Sequence, residues 1–558
     1  MGAGPAGIRA AQTLLAHGLR PILIDEASRG GGQIYRRPPD VFHRSAQSLY
    51  GTEASRALSV HEAMDAMQGR IDYRPDTLVW NAQGGSLDLL HAATNVSSSV
   101  PYRRLIVATG ATDRVLPVPG WTLPGVYTLG GAQVALKFQG CAIGERVVLM
   151  GTGPLLYLVA YQYAKAGANV VAVLDTARFA DQLAAVPAML TQPAVFAKGV
   201  YYVGWLRAHG VALHRGVRLV GIEGAMPERF GVGLRQAQPE RDGAGFDKLS
   251  PNGGDGVPSP PPTHPEPVEG PVDAQHGFDK LSPNGNGVAT SIPPPAHPEP
   301  VEGPVHVVAV VFEANGQEHC IECDAVGFGY ALRSETQLAD LLGCRFVYAP
   351  LQRAHLPERD AAGRSSVAGV YLAGDGAGIM GADAAEWAGE RAALALLADE
   401  GIAIDMARAA QLEQRLERLG TFRQGLERAF PFPEDWAAKA PDELIVCRCE
   451  NISAGELRQV VRETGTDEIN RLKALSRIGM GRCQGRMCGV AAAELLAHAS
   501  GKPIEFVGRL RGQAPIKPIP MAMTVAGDLA GHHGSARNEQ THNEQKPELQ
   551  NAEARPPA

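Results

Sequence analysis

A chain of 558 residues is too long for one hydrophobic core and predicts roughly three or four domains. Its 45% hydrophobic and 20% charged residues are ordinary for a globular protein, and a formal charge of -7 gives no basic surface for a nucleic-acid partner. Eight cysteines in this length do not make a disulfide framework, no run of about 18 apolar residues offers a transmembrane segment, and the N-terminus lacks a signal peptide's basic-then-apolar order; a cytoplasmic location is expected.

The chain opens with Gly2-Ala3-Gly4-Pro5-Ala6-Gly7, a G-x-G-x-x-G motif. Gly2 permits a tight strand-to-helix turn, Gly4 lets backbone approach a pyrophosphate, and Gly7 lets the helix pack on the sheet. Arg9 to Leu19 predicts that helix and Leu19 to Ile24 the next strand, with Asp25 at its end to accept hydrogen bonds from a ribose. The strand that ordinarily precedes such a motif is not in the sequence, since Met1 stands directly before Gly2, so a translation start upstream of Met1 is expected. Gly30 to Arg36 follows, and its glycines allow backbone to run close under a flavin, with Gly32, Gln33 and Arg36 as candidate contacts; the alternative is a flexible surface loop. No cysteine pair follows this loop, which argues against disulfide reductase chemistry.

Leu105 to Ala108 predicts a short strand ending in Thr109-Gly110, and the turns from Asp113 to Tyr127 mark passage into another domain. Val147 to Met150, then Gly151-Thr152-Gly153-Pro154-Leu155-Leu156, then Val170 to Leu174 ending in Asp175, repeats the strand-turn-helix-strand-acid order. Leu156 replaces the third glycine. Asp175 would favour NAD over NADP. Two readings stay open: a site for NAD or another adenine nucleotide, and a nucleotide fold kept only as scaffold.

Between about 243 and 304 the chain becomes rich in proline, glycine and polar residues, and Phe246–Gly253 and His264–Pro271 recur at Phe278–Gly285 and His297–Pro304. This predicts a duplicated, disordered insertion without chemistry. Strand pattern resumes at Val305 to Phe312, and Cys320 and Cys323 after it are expected at a sheet edge. Val370 to Ala373 predicts a strand ending in Gly374-Asp375, where Asp375 can bond a ribityl hydroxyl; the Ala-rich helix from Ala382 to Ala398 would point its positive end at the flavin ring. Ala407 to Ala429 predicts an amphipathic helix linking this body to the C-terminal part.

Cys447-Arg448-Cys449 is followed by Cys483-Gln484-Gly485-Arg486-Met487-Cys488. Four thiolates in two close pairs suit zinc or a [2Fe-2S] cluster, and the flavin context favours the cluster, since a one-electron carrier serves a two-electron cofactor. Residues 447–517 hold twelve Arg or Lys against seven Asp or Glu, an excess that offsets a thiolate-bound cluster.

With these motifs, the chain resembles the large FAD-containing component of multi-subunit amino-acid dehydrogenases. That family includes the larger polypeptide of opine oxidase, the alpha polypeptide of D-hydroxyproline or dye-linked proline dehydrogenase, and the corresponding polypeptide of hydrogen cyanide synthase. The resemblance implies an α/β flavoprotein with two Rossmann-like dinucleotide-binding domains, for FAD and NAD, and a small C-terminal domain that looks like the bacterioferritin-associated ferredoxin type. The expected boundaries are 1–125 and 331–404 for the FAD domain, 126–330 for the second domain, 405–440 for a helical linker, 441–515 for the [2Fe-2S] domain and 516–558 for a polar, partly disordered tail. Cys447, Cys449, Cys483 and Cys488 would hold the cluster, although the last pair is spaced wider than the C-x-x-C of many such domains. The resemblance further implies a smaller amine-oxidising flavoprotein partner, a small ferredoxin-like subunit, and a peripheral link to a respiratory acceptor. No residue identifies a catalytic base.

Overall fold

The computed structural model describes residues 2–39, 41, 44–225 and 305–525. The duplicated insertion from 243 to 304 and the tail beyond 525 lie outside the described residues.

The first domain is assembled from distant pieces. Strand Ile22–Ile24 pairs in parallel with Asp72–Arg74, and Leu105–Val107 pairs in parallel with Val370–Leu372. Gly2 lies between the two pairs: its N–H donates to the Ile24 carbonyl at 2.7 Å, and a Cβ there would stand 2.2 Å from the Ala108 carbonyl oxygen. The helix Pro5–Ala16, started by proline at its first position, packs on the helix Ala382–Asp399. Backbones touch at this crossing, since a Cβ on Gly389 would lie 2.0 Å from the Ala6 carbonyl oxygen. Alanine on both helices is thus a packing requirement.

The second domain is a five-stranded parallel sheet in the order Ala212–Arg215, Val170–Asp175, Val147–Thr152, Ala325–Tyr330, Val126–Thr128. Val147–Thr152 and Ala325–Tyr330 are buried along their whole length, as central parallel strands must be. A three-stranded antiparallel sheet, Arg218–Ala225, His306–Ala314 and Gln317–Glu322, lies beside it. Gln317–Glu322 is its edge strand; Cys320 is exposed there and Cys323 is buried just past its end. The outgoing and returning connections between the two domains run side by side as an antiparallel pair, Ala111–Asp113 with Leu332–Ser334.

Two expectations are corrected. The helix Met406–Ala429 does not merely link: Leu419 and Phe422 pack with Ala185 and Met189 of the second domain and Ala384 of the first. Residues 516–525, assigned to a polar tail, are docked: Ile516 is buried, its N–H donates to the Trp80 carbonyl at 3.0 Å, and Thr524–Val525 pairs with Val96–Ser97. Composition misses this because one apolar side chain and a few backbone bonds suffice.

The C-terminal module carries helices Ala454–Thr464, Ile469–Ser476 and Gly489–Ser500, the first begun by a Ser453/Glu456 capping box. Its core residues Leu457, Leu472 and Leu495 are continuous with Val148 and Phe328 of the second domain. Two tryptophans fasten the join: Trp121 donates to the Ile445 carbonyl at 2.6 Å and Trp436 to the Pro117 carbonyl at 2.8 Å. No helix among the described residues is long and apolar enough to cross a membrane.

Candidate functional site

The first site forms where the predicted signals converge. Gly4 caps Pro5–Ala16 without a side-chain bond, leaving the first-turn N–H groups available to an anion. Gly31 donates to the Ala3 carbonyl at 2.8 Å, and a Cβ on Gly32 (φ +66°) would stand 2.8 Å from Gly4 Cα. A Cβ on Gly7 would meet the Gly2 carbonyl oxygen at 1.7 Å, one on Gly374 the Ala6 side chain at 3.0 Å, and one on Gly376 the Thr109 hydroxyl at 2.5 Å. Residues 2–7, 30–32, 109–110 and 374–376 therefore line one cradle that side chains would fill, and the cradle fits a dinucleotide such as FAD.

The acids around it behave differently from expectation. Asp25 accepts from the Ala3 N–H with one oxygen and from the Ala27 N–H at 2.7 Å with the other, and burial raises its pKa. Its oxygens tie the turn together rather than standing free for a ribose. Asp375 accepts with Oδ1 from the Met380 and Gly381 amides at 2.8 and 3.0 Å, which orders the approach to Ala382–Asp399. Gln33 Oε1 accepts from Arg36 at 2.8 Å, and the Arg36 guanidinium lies over Phe138, 5.6 Å from the ring centre. Beside them is a residue that sequence reasoning missed. Lys137, on the π-helical turn Ala135–Gln139, reaches across from the second domain to the Ile34 carbonyl at 3.2 Å. Burial, and then the Arg36 charge, lower its pKa to about 8. Its only sequence signal is a lysine inside an apolar run.

The second site keeps the turn and loses the acid. Gly151 (φ +125°) is required, since a Cβ would stand 1.9 Å from the Gly329 carbonyl oxygen; Gly153 (φ +112°) caps the helix Pro154–Lys165, again with no side-chain bond. Asp175, however, is fully buried and accepts from the Thr152 hydroxyl and Ala177 N–H, both at 2.9 Å, from the Tyr157 hydroxyl at 2.8 Å and from Gln182 at 3.2 Å. Burial raises its pKa to about 6 against those bonds. The carboxylate expected to choose NAD by its ribose is thus used by four protein donors, so the phosphate turn fits a nucleotide and the acid does not. Leu156, in place of the third glycine, is buried in the apolar core with Val159 and Leu206.

The four late cysteines come together. Cys447 ends the strand Ile445–Cys447 and Cys488 caps the helix Gly489–Ser500. The Cys488 thiol donates to Cys447 and Cys483, and Cys483 also contacts Cys449, so the sulfurs form one connected set. Those Cys488 bonds, helped by the Glu450 and Gly479 amides at Cys447 and the Met487 and Gly485 amides at Cys483, lower the Cys447 pKa to about 6 and that of Cys483 to about 5. Cys488 is correspondingly raised. Gly481 allows the segments to meet: a Cβ would stand 2.4 Å from that of Cys449. Among the described residues no three His, Cys, Asp or Glu side chains stand as ligands of a metal ion. The donors are bonded as thiols to one another, and their chemistry, with N–H groups aimed at sulfur, suits a four-thiolate centre.

Two interleaved dinucleotide folds with a glycine cradle define the class of FAD-binding oxidoreductases: the family model described as pyridine nucleotide-disulphide oxidoreductase matches residues 1–204, and that of the sarcosine oxidase A3 domain matches 444–528. The chain is 31% identical over 538 residues to the larger polypeptide of opine oxidase from Rhizobium meliloti, covering 93% of this chain and 85% of that one. It is also 31% identical over 530 residues to the HcnB polypeptide of hydrogen cyanide synthase from Pseudomonas aeruginosa, covering 94% and 97%. It belongs to the family of oxidoreductase subunits that contains these two proteins. The crystal structure of L-proline dehydrogenase from P. horikoshii shares the fold, with a TM-score of 0.57 at 17% identity over 93% of this chain and 77% of that one.

Proposed function

We propose that this chain is the FAD- and [2Fe-2S]-containing electron-transfer subunit of a heteromeric dehydrogenase that oxidises an amino or imino acid of the D-hydroxyproline, proline, opine or glycine type. The observation that carries this reading is the packing of a four-thiol module directly on a flavin-type fold, in a family whose named members are subunits. Gly2, Gly4, Gly7, Gly32, Thr109, Gly110, Gly374 and Asp375 would hold FAD, and Cys447, Cys449, Cys483 and Cys488 the cluster. When bound, FAD supplies two-electron chemistry and the cluster one-electron chemistry. The chain's own part is to hold the two at a fixed separation and to keep them from water.

Oxidation of the C–N bond would fall to a smaller flavoprotein partner, for which this chain has a suitable surface. The helix Pro193–Ala208 is apolar on all sides, yet only Tyr202 and Leu206 are buried, leaving Val200 56% and Tyr201 49% exposed. A self-contained NADH-dependent reductase is the second reading, favoured by the intact Gly151–Gly153 turn and opposed by the sequestered Asp175.

Iron and acid-labile sulfide analysis, with optical and paramagnetic spectra of the anaerobically reduced full chain, tests the cofactors. Flavin together with a [2Fe-2S] signal is expected; flavin without iron or sulfide overturns the reading. Stopped-flow mixing with NADH separates the two enzymes, because rapid bleaching of the flavin by NADH alone is the behaviour of a reductase.

A further inference from the structure

The loop between Cys483 and Cys488 is held by side chains from the segment that returns the chain to the first domain. Arg333 donates to the Arg486 carbonyl at 3.0 Å, and Gln337 donates to the Gln484 carbonyl at 2.7 Å. Between them stands Glu335, 7% exposed, whose carboxylate takes Arg486 Nε at 2.7 Å. Arg486 also donates to the Ile516 carbonyl at 2.7 Å, so its charge is enclosed on a second side. The Arg486 and Arg333 charges hold the Glu335 carboxyl below the usual range although burial alone would raise it.

The backbone of Glu335 faces the other way. Its N–H donates to the Gly110 carbonyl at 3.0 Å, and its carbonyl accepts from the Thr109 hydroxyl at 2.6 Å. Thr109 and Gly110 belong to the glycine cradle. One residue therefore touches the cradle through its peptide and the cysteine loop through its side chain.

We propose that Glu335 is a positioning residue which, through Arg486, makes the cysteine loop and the exit turn of the first dinucleotide site a single mechanical unit. The identity of the two centres rests on the functional reading above; the contact itself does not. A buried ion pair resists slippage because separating it strands both charges. Three further donors fix the loop carbonyls. Any change of charge or occupancy at the four thiols is thereby felt at Thr109–Gly110, and the reverse holds equally.

Hydrogen–deuterium exchange on the purified full chain tests this, with Glu335→Gln, which keeps the shape, and Arg486→Lys as an independent second variant. In both, exchange at residues 484–488 and at 110–114 is expected to rise together by at least about tenfold, the scale of a lost charge-assisted hydrogen bond. Exchange at 147–152 should stay unchanged, which a general loss of stability would not allow. Faster exchange at 484–488 with 110–114 unaffected overturns the proposal, as does no change at either. In protein that carries a cysteine-bound centre, Glu335→Gln should also raise its midpoint potential, since a negative charge is removed nearby. Protein with neither flavin nor iron in which both stretches still loosen would end the electron-transfer reading and support the positioning pair.

Discussion

Tyr157 donates its hydroxyl to Asp175 at 2.8 Å, across the turn where the second dinucleotide fold would receive a ribose. Tyr157 lies in the first turn of Pro154–Lys165 and Asp175 at the end of Val170–Asp175. The helix whose N-terminus should face phosphates thus also closes the neighbouring acid. Tyr157→Phe removes one of four donors from a buried carboxylate and should cost about 1–3 kcal/mol in denaturant unfolding. NADH affinity, measured by calorimetry, should remain weak in the wild type, because Asp175 has no exposed surface to offer.

The same carboxyl predicts a pH dependence. Its folded pKa is raised to about 6 from 3.8, so the folded state binds the proton more tightly. Stability from this group is complete below about pH 4 and declines as pH rises through about 6. A shift of roughly two units corresponds to about 3 kcal/mol. Asp175→Asn should flatten that decline, and paired unfolding curves between pH 4 and 7 would reveal it; parallel curves for the two proteins would refute it.

Gly7→Ala places a methyl group 1.7 Å from the Gly2 carbonyl oxygen. The turn cannot yield without moving the helix Pro5–Ala16 off the sheet. Flavin content of the purified variant should fall to near zero, whereas Gly18→Ala, where nothing lies within 4 Å but φ is +80°, should lose only about 1 kcal/mol and keep its flavin.

Arg353 and Glu494 form a two-pronged pair, at 2.7 and 3.0 Å, between the hairpin Phe346–Pro357 and the helix Gly489–Ser500. Glu494 is 5% exposed, so Glu494→Ala leaves Arg353 without its buried partner and should cost about 3–5 kcal/mol. Limited proteolysis should then cut the C-terminal module first. Retention of wild-type resistance would mean that the pair adds little.

Val200→Asp and Tyr201→Ser alter side chains that are exposed and bear no part of either cradle. They should leave flavin content unchanged and reduce co-purification with the smaller flavoprotein roughly tenfold or more, as for central positions of an interface. Undiminished co-purification would place the partner elsewhere.

Glycine spacing and cysteine clustering were legible in the sequence, because both are dictated by local chemistry. A backbone that must pass within van der Waals contact of another backbone tolerates only glycine, and Gly2, Gly7, Gly32, Gly151 and Gly374 carry that constraint in their identity. Four thiols in two close pairs likewise declare that they will meet. What could not be read was the use made of each acid and base. Asp25 and Asp175 stand where a ribose-binding acid belongs, yet their oxygens are taken by Ala3, Ala27, Thr152, Tyr157, Ala177 and Gln182. Glu335 sits in a stretch without any motif and becomes the join between the two sites only because the returning connection lies against the outgoing one. The chain's residues determined which folds form and which sulfurs gather; the tertiary structure decided which polar atoms remain free, since hydrogen-bond partners far apart in sequence meet only after packing.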